Sequence, residues 1–297
     1  MSFQATSTII IIIASVIMII LEKIFPYKKN QKLIREGFFN DFILYTLFQS
    51  YILGLIIFGF LNYLYSFTGV EHYRILANVP LWAQIIFFLV VHDFYIYWFH
   101  RWQHNNKYLW RIHEAHHSNT EVDWLAGSRS HAFEILINQT VEFAPIILLG
   151  AAPEMAIIKG MISAIWGMYI HSNIDVREGW LQYIINGPEM HRWHHSDDDN
   201  DEFKHNFSTK LAIWDWIFGT AFLPDPRKRK PILYGLKDTP EYPIKYADKV
   251  ITEIKTKNIK SPKAIYLLPY NFIEIIFLSA YEYLLQHIVA FRRFKKV

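Results

Sequence analysis

Cysteine is absent from this chain of 297 residues. Without thiol groups the protein cannot form a disulfide, a cysteine-ligated zinc site, an iron–sulfur cluster or a haem-thiolate site. Any metal ion must therefore be held by nitrogen and oxygen ligands. A Gly-rich dinucleotide fingerprint is absent as well, so the chain itself has no recognisable site for NAD(P)H.

Charge of either sign is also modest. Lys and Arg number 30 and Asp and Glu number 27, for a formal net charge of +3. The sequence has no Lys/Arg stripe interleaved with stacking aromatic residues, which is the pattern of a nucleic-acid groove. We therefore expect no nucleic-acid partner.

Apolar residues, in contrast, are abundant, at 52% of the chain with 17% aromatic. A bilayer is crossed by roughly 20 apolar residues in a helix, and residues 6–25, 42–67 and 80–99 meet that length. Residues 133–149 and 156–171 look like two more apolar helices joined by a turn at 150–153. The sequence thus predicts an all-α integral membrane protein with about four transmembrane helices.

Loop charges predict the orientation of these segments. Only Arg74 is basic in the loop between the second and third segments. The loop after the first segment carries five basic residues, Lys23, Lys28, Lys29, Lys32 and Arg35. Because positive loops stay in the cytoplasm, this loop should be cytoplasmic, and the 133–171 hairpin should enter from that side and return to it.

Histidine supplies the strongest signal. The chain has 14 histidines, and twelve lie between His92 and His205. Residues three or four apart share a helix face, so a close group can aim two or three imidazoles at one point. The dense groups comprise His100, His104, His113, His116, His117, His191, His194 and His195. Eight imidazoles suit two metal ions with about four ligands each, held in a helical cap on the cytoplasmic side.

Other histidines are weaker candidates. His171 and, with less support, His131 lie at the two ends of the hairpin and are additional candidate ligands. Asp93 precedes His100 by two turns, and with His92 it could orient a metal ligand or form a plain structural pair. Three lone histidines, His72, His205 and His287, are interpreted as structural.

Three motifs then resemble those of a known family. Residues 93–104 (DFYIYWFHRWQH), 113–117 (HEAHH) and 191–195 (HRWHH) resemble the three histidine boxes of the fatty acid hydroxylase and sterol desaturase superfamily. Residues 170–173 (IHSN) resemble a family element that carries a further histidine, and 214–220 (WDWIFGT) the segment after the third box.

The resemblance implies a non-haem di-iron enzyme. Two iron ions would use O₂ as co-substrate to hydroxylate or desaturate a membrane lipid such as a sterol, a fatty acyl chain or an alkyl lipid. Electrons would come from NAD(P)H through a separate electron-transfer protein. Glu114 and Asp93 would support the metal ligands without binding metal. The sequence does not decide between hydroxylation and desaturation, and it determines neither the lipid nor the oligomeric state.

Two other functions remain open. His113-Glu-Ala-His-His117 also satisfies the H-E-x-x-H pattern of an intramembrane zinc metalloprotease, with Glu114 as the general base. That motif alone leaves the histidines at 100 and 104 and those at 191–195 unexplained. A metal transporter or sensor would instead place its ligands along several spanning helices, whereas these histidines lie beside arginines in segments close to the membrane surface.

The chain therefore divides into three predicted regions. Residues 1–90 form N-terminal membrane helices, 91–224 the catalytic domain with its hairpin, and 225–297 a membrane-associated tail. Residues 264–291 of that tail are apolar and either span the membrane or lie on it. The expected location is a bacterial inner membrane or the endoplasmic reticulum, with the metal site facing the cytoplasm.

Overall fold

The computed structural model describes residues 2–69, 75–106, 109–152, 154–196, 204–225, 231 and 233–236. Helices are the regular structure of this part of the chain, and none of the described residues forms a β-strand beyond two isolated bridges, Pro26 with Ile174 and Ser196 with Tyr234. The predicted all-α class is confirmed. The tail segment 264–291 lies outside the described residues, and the division into three regions stays a prediction.

Three helices are long and apolar enough to cross a membrane. They are α1 (Phe3–Ile24), α2 (Ser50–Thr68), which continues a π-helical segment (Asn40–Gln49), and α3 (Leu81–Asn105). Their outer faces carry exposed apolar side chains, among them Ile12 at 57% and Phe67 at 75%. Such faces suit a lipid environment, because lipid tails solvate apolar side chains. The three predicted spanning segments are confirmed.

The predicted hairpin consists of α5 (Ala132–Leu148) and α6 (Met155–His171). Gly150 follows α5 with φ +62°, a left-handed conformation that glycine adopts without steric strain. The tip of the hairpin is fastened near the start of α3, because the amide of Ala152 donates to Gln84 Oε1 at 3.0 Å. The hairpin thus reaches the end of α3 that is opposite His100.

Three short α-helices of the described chain form a cap at the other end of the bundle. They are α4 (Trp110–His117), α7 (Pro188–His194) and α8 (Ile213–Ile217). Asp215, on α8, accepts hydrogen bonds from the amides of Phe207 and Ser208 at 2.8 and 2.9 Å and from Thr220 Oγ1 at 2.7 Å. This carboxylate fixes the loop that leads to α8, and that loop borders the histidines.

The end of α1 is tied to the same cap. Glu22 Oε1 accepts hydrogen bonds from the amides of Trp124 and Asn173 at 2.7 and 2.8 Å. The amide of Asp175 donates to the carbonyl of Phe25 at 2.7 Å. The basic loop after α1 therefore lies at the end of the bundle where α6 terminates.

Candidate metal centre

The structure brings nine histidines together at the junction of the bundle and the cap. They come from α3, α4, α7 and the last residue of α6, with His195 directly after α7. Within each of two groups, one ligand atom from every member lies within 4.8 Å of the others. The first group comprises His100, His104, His113, His117 and His194, and the second comprises His116, His171, His191 and His195.

In the first group, α3, α4 and α7 each contribute at least one ring. The Nε2 atoms of His113 and His117 are 3.1 Å apart. The ring centroids of His100 and His194 are 4.4 Å apart, and those of His104 and His117 are 4.9 Å apart. Five imidazoles from three helices thus converge on one point.

In the second group, the Nε2 atoms form a chain of close contacts. His171 lies 3.2 Å from His116 and 2.9 Å from His191, and His191 lies 3.1 Å from His195. Neutral imidazoles repel one another when lone pairs meet, so nitrogens converging in this way are suited to sharing a cation. The second group therefore resembles a four-nitrogen metal site.

The two groups are neighbours, because α4 and α7 contribute to both. On α4, His113 and His117 face the first group while His116 faces the second, at 5.3 Å between the centroids of His113 and His116. After α7, His195 lies in the second group, and its ring is 4.5 Å from that of His117. The spacing of the histidines predicted that each dense sequence cluster points at one centre. The structure instead divides the cluster at 113–117 and the cluster at 191–195 between the two groups.

Backbone carbonyls orient the rings of the first group. His100 Nδ1 donates to the carbonyl of Phe207 at 2.6 Å, and His194 Nδ1 donates to the carbonyl of His205 at 2.7 Å. Because a carbonyl only accepts, each Nδ1 must carry the proton, and Nε2 keeps its lone pair for a metal. In the described part of the chain, both of these Nε2 atoms are buried and have no hydrogen-bond partner.

The second group is oriented in the same way. His116 Nδ1 donates to the carbonyl of Arg129 at 3.1 Å, and His171 Nδ1 donates to the carbonyl of Gly167 at 2.7 Å. Their Nε2 atoms again point toward the other members of the group. Outer contacts of this kind hold histidine ligands in one tautomer and one orientation.

A carboxylate missed by the sequence analysis holds His113. Glu134 Oε1, near the start of α5, accepts hydrogen bonds from His113 Nδ1 at 2.8 Å and from Gln103 Nε2 at 3.0 Å. Glu134 is buried, and an acidic residue near the start of an apolar hairpin helix was a signal that could have been followed. Such a carboxylate raises the basicity of the histidine that it contacts.

The two supporting residues predicted from the sequence, Asp93 and Glu114, lie on α3 and α4. Asp93 is buried, and it accepts hydrogen bonds from Thr209 Oγ1 and from the amides of Lys210 and Leu211 at 2.8–2.9 Å. It thus anchors the loop before α8. Glu114 is buried on α4.

His131 also has a structural position. It lies in neither of the two groups formed by the described residues, and its Nδ1 caps α5 by accepting from the amide of Phe133 at 3.1 Å. A side chain that caps a helix satisfies one of the free amides at the helix start. His131 is therefore placed to begin the hairpin helix that carries Glu134.

Burial keeps the imidazoles neutral. It lowers the pKa of His113 to about 3, and burial together with the nearby His113 lowers the pKa of His116 to about 4. Both rings are then uncharged at neutral pH, which is the form that binds metal. The donor set, neutral nitrogen on every side, fits iron, zinc or copper rather than magnesium or calcium.

A cavity of about 210 Å³ lies beside both groups. His100 and His113 line it from the first group, and His116, His171 and His191 from the second. Apolar side chains also line the cavity, among them Ile96, Phe99, Trp166 and Ile170. A small molecule in this cavity would contact both groups at once.

Fold and site together define a membrane protein with a histidine-rich candidate metal centre. Residues 85–220 match the model of the fatty acid hydroxylase family. The chain therefore carries a fatty acid hydroxylase domain, and the resemblance seen in the three histidine boxes is confirmed.

Curated relatives belong to the same superfamily. Ornithine lipid hydroxylase OlsE of Rhizobium tropici is 34% identical over 145 residues, 49% of this chain and 44% of that protein. Alkylglycerol monooxygenase of Homo sapiens is 31% identical over 169 residues, 56% of this chain and 36% of that protein. Methylsterol monooxygenase 1-3 of Arabidopsis thaliana is 28% identical over 172 residues, 52% of this chain and 55% of that protein. The chain thus spans less than two thirds of each relative, and no solved structure matches it.

Proposed function

We propose that this protein is an O₂-dependent membrane oxidoreductase that hydroxylates a lipid at an unactivated C–H bond, using two iron ions. One observation carries the proposal: two adjacent groups of five and four imidazoles border a single cavity. The named relatives support the lipid substrate, because they are a lipid hydroxylase and monooxygenases of alkylglycerols and methylsterols.

The residues present fit two iron ions. Five nitrogens in the first group and four in the second leave open positions for small ligands if each ion takes about six donors. The buried Nε2 atoms of His100 and His194 are oriented toward the centre of their group and have no other partner among the described residues. Burying such atoms without a partner costs about 1–3 kcal/mol each, so a bound cation would stabilise the fold.

Iron would supply the activation of O₂, and the protein supplies position and exclusion of water. The apolar walls of the cavity hold an alkyl chain against the histidine groups. Insertion of one oxygen atom into a C–H bond releases the other as water and consumes two electrons and two protons. We propose that a separate electron-transfer protein, reduced by NAD(P)H, delivers those electrons.

The three relatives named above, one hydroxylase and two monooxygenases, support hydroxylation over desaturation. A cytoplasmic position of the centre is supported by the basic loop after α1, which is bonded to the chain just beyond His171. If positive loops stay in the cytoplasm, the metal centre does too. The expected location remains a bacterial inner membrane or the endoplasmic reticulum.

A zinc protease finds no support in the described structure. The two histidines of the H-E-x-x-H pattern are His113 and His117, and both lie in the first group together with three further imidazoles. A catalytic zinc takes three protein ligands and keeps one position for water, so a group of five imidazoles exceeds what a metalloprotease needs. The four imidazoles of the second group would have no role in a single-zinc site.

Metal counting in purified protein tests the proposal. We expect about two irons per chain after iron-supplemented expression, and about one after His194→Ala or His191→Ala, which removes one ligand from one group. His72→Gln, a change at a histidine that the sequence analysis set aside, is the control and should retain iron like the natural chain.

Product analysis completes the test. Membranes supplied with ¹⁸O₂ and an electron donor should yield a lipid heavier by one ¹⁸O atom, and neither alanine variant should produce it. A single zinc ion that survives loss of His194, or oxidation that persists in both alanine variants, would overturn the proposed function.

A further inference from the structure

The cavity beside the metal centre has a second polar end. Eight residues before His100 on α3 lies His92, eight after Glu134 on α5 lies Glu142, and eight before His171 on α6 lies Ser163. A helix rises about 1.5 Å per residue, so each separation is about 12 Å. All three of these distant residues line the cavity.

An ion pair organises this end. Lys159 Nζ donates to Glu142 Oε1 at 2.5 Å, and Ser163 Oγ donates to the same oxygen at 2.6 Å. Lys159 also lies 3.1 Å from His92 Nδ1. Lys159 is fully buried and the Glu142 side chain is 8% exposed, so the pair is held in an apolar helical bundle. Buried charges are expensive there and commonly mark a functional site.

One oxygen of the Glu142 carboxylate is available to a ligand. Both hydrogen bonds to the carboxylate of Glu142 end on Oε1, and no described residue donates to Oε2. Because Glu142 lines the cavity, Oε2 can accept a hydrogen bond from a molecule inside it.

The surrounding charges favour a neutral donor. Glu142 and Asp93 are balanced by Lys159 and Lys210, and Lys210 also lines the cavity. Because the formal charges of these four side chains sum to zero, the site offers little net attraction for an ionic group. A hydroxyl or an amide N–H can instead hydrogen-bond to a charged acceptor without bringing a charge of its own.

We propose that Glu142, supported by Lys159 and Ser163, is a specificity-determining residue that binds a hydroxyl or amide group of the lipid substrate. The carbon to be oxidised then lies about 12 Å away, beside the histidines. The substrate class is an amphiphile with a neutral hydrogen-bond donor separated from the reacting carbon by an alkyl chain. This inference rests on the proposed oxidation of a lipid.

Binding of two matched probes tests this site. The probes are 1-decanol and n-undecane, which differ by exchange of a hydroxyl for a methyl group. Their affinities for the iron-loaded, detergent-purified protein are measured relative to partition into protein-free micelles. We expect the natural chain to prefer the alcohol by about tenfold or more, the effect of a hydrogen bond to a charged group.

Two variants locate the preference. Glu142→Leu with Lys159→Met removes both charges together, because leaving one unpaired would destabilise the bundle. This double variant should bind both probes with similar affinity. Ser163→Ala leaves the pair in place and should reduce the preference, whereas Ser15→Ala, whose hydroxyl contacts Ile11 and Met168 on the α1–α6 contact, should leave it unchanged.

The outcomes separate this inference from the proposed function. If the natural chain shows no preference, or if the preference survives in the double variant, the assignment of Glu142 is wrong even when iron and oxidation are intact. If the double variant does not fold, the Ser163→Ala variant tests the inference instead. A preference for 1-decanol in Ser163→Ala that equals the preference in Ser15→Ala would overturn the inference. A preference that depends on Glu142 in a protein without iron or oxidation would contradict only the proposed function.

Discussion

Asp41 accepts a hydrogen bond from Arg129 Nε at 2.7 Å, and the carbonyl of Arg129 in turn orients His116. Asp41 also accepts from Arg35 Nη2 at 2.7 Å, and Arg35 forms two hydrogen bonds with Asp123. Asp41 and Arg35 precede the 85–220 segment that matches the family, so a part of the chain outside that domain supports the candidate metal centre.

Loss of Asp41 should therefore damage both stability and metal binding. Asp41→Ala removes the buried carboxylate that both Arg35 and Arg129 contact. Removing one partner of a buried ion pair destabilises a protein by about 3–5 kcal/mol. We expect a lower free energy of unfolding in mixed micelles and reduced iron in the second group. Lys28→Ala breaks the more exposed pair with Glu121 and should change stability by less than about 1 kcal/mol. Equal stability of the two variants would contradict this prediction.

Removal of the charge on Glu134 should weaken iron binding without removing a ligand. Glu134→Gln keeps the shape of the side chain but not the carboxylate that accepts from His113 Nδ1. Loss of an outer partner of a metal-binding histidine typically reduces metal affinity about 10–100-fold. Competition with a chelator measures this change, and Glu36→Gln at an exposed position is the control. If both variants retain iron equally well, Glu134 has no such role.

A methyl group at Gly127 should displace His171. A Cβ added there would lie 2.5 Å from His171 Nδ1, closer than any real contact, and the backbone hydrogen bond of that nitrogen leaves the ring little freedom. We expect Gly127→Ala to lower the iron content from about two ions per chain to about one, since only one site of the pair is affected. Gly54→Ala, where the added Cβ meets nothing within 4 Å, should retain both. Full iron occupancy in Gly127→Ala would disprove a close packing of this turn on His171.

Metal removal should lower the thermal stability of the natural chain. A ligand present at a hundred times its dissociation constant stabilises a folded protein by about 2.7 kcal/mol, so dialysis against a chelator should lower the unfolding midpoint. The shift should be smaller in His191→Ala, which has lost part of one site. A midpoint that is the same before and after dialysis would show that the histidines fold without a bound ion.

The spacing of the histidines predicted the candidate metal ligands but not how they divide into two groups. His113 and His117 are four residues apart and share a group, as do His191 and His195, whereas His116 and His194 turn toward the other group. Helical periodicity makes neighbours of residues both three and four apart. Only the packing of α4 and α7 against α3 and α6 decides which of these neighbours meet.

Residues that support the ligands were the least accessible to prediction. Glu134 and Arg129 contact histidines that are at least 13 positions away in sequence, so no local pattern connects them. Asp93, predicted as a supporting residue, was close to His100 in sequence but holds the 209–211 loop. Closeness along one helix does not determine the partner of a side chain, because the contact depends on what packs against that face.

The sequence by itself determined the membrane helices, the exclusion of thiolate ligands and a short list of candidate histidines that contains all nine of the two groups, because these follow from composition, apolar length and short-range spacing. Tertiary structure alone decided how the histidines divide into two groups, which carbonyls and carboxylates orient them, and where the cavity meets Glu142. Those features depend on contacts between segments far apart in the chain. Their geometry is set by the packing of whole helices, which short-range spacing does not encode.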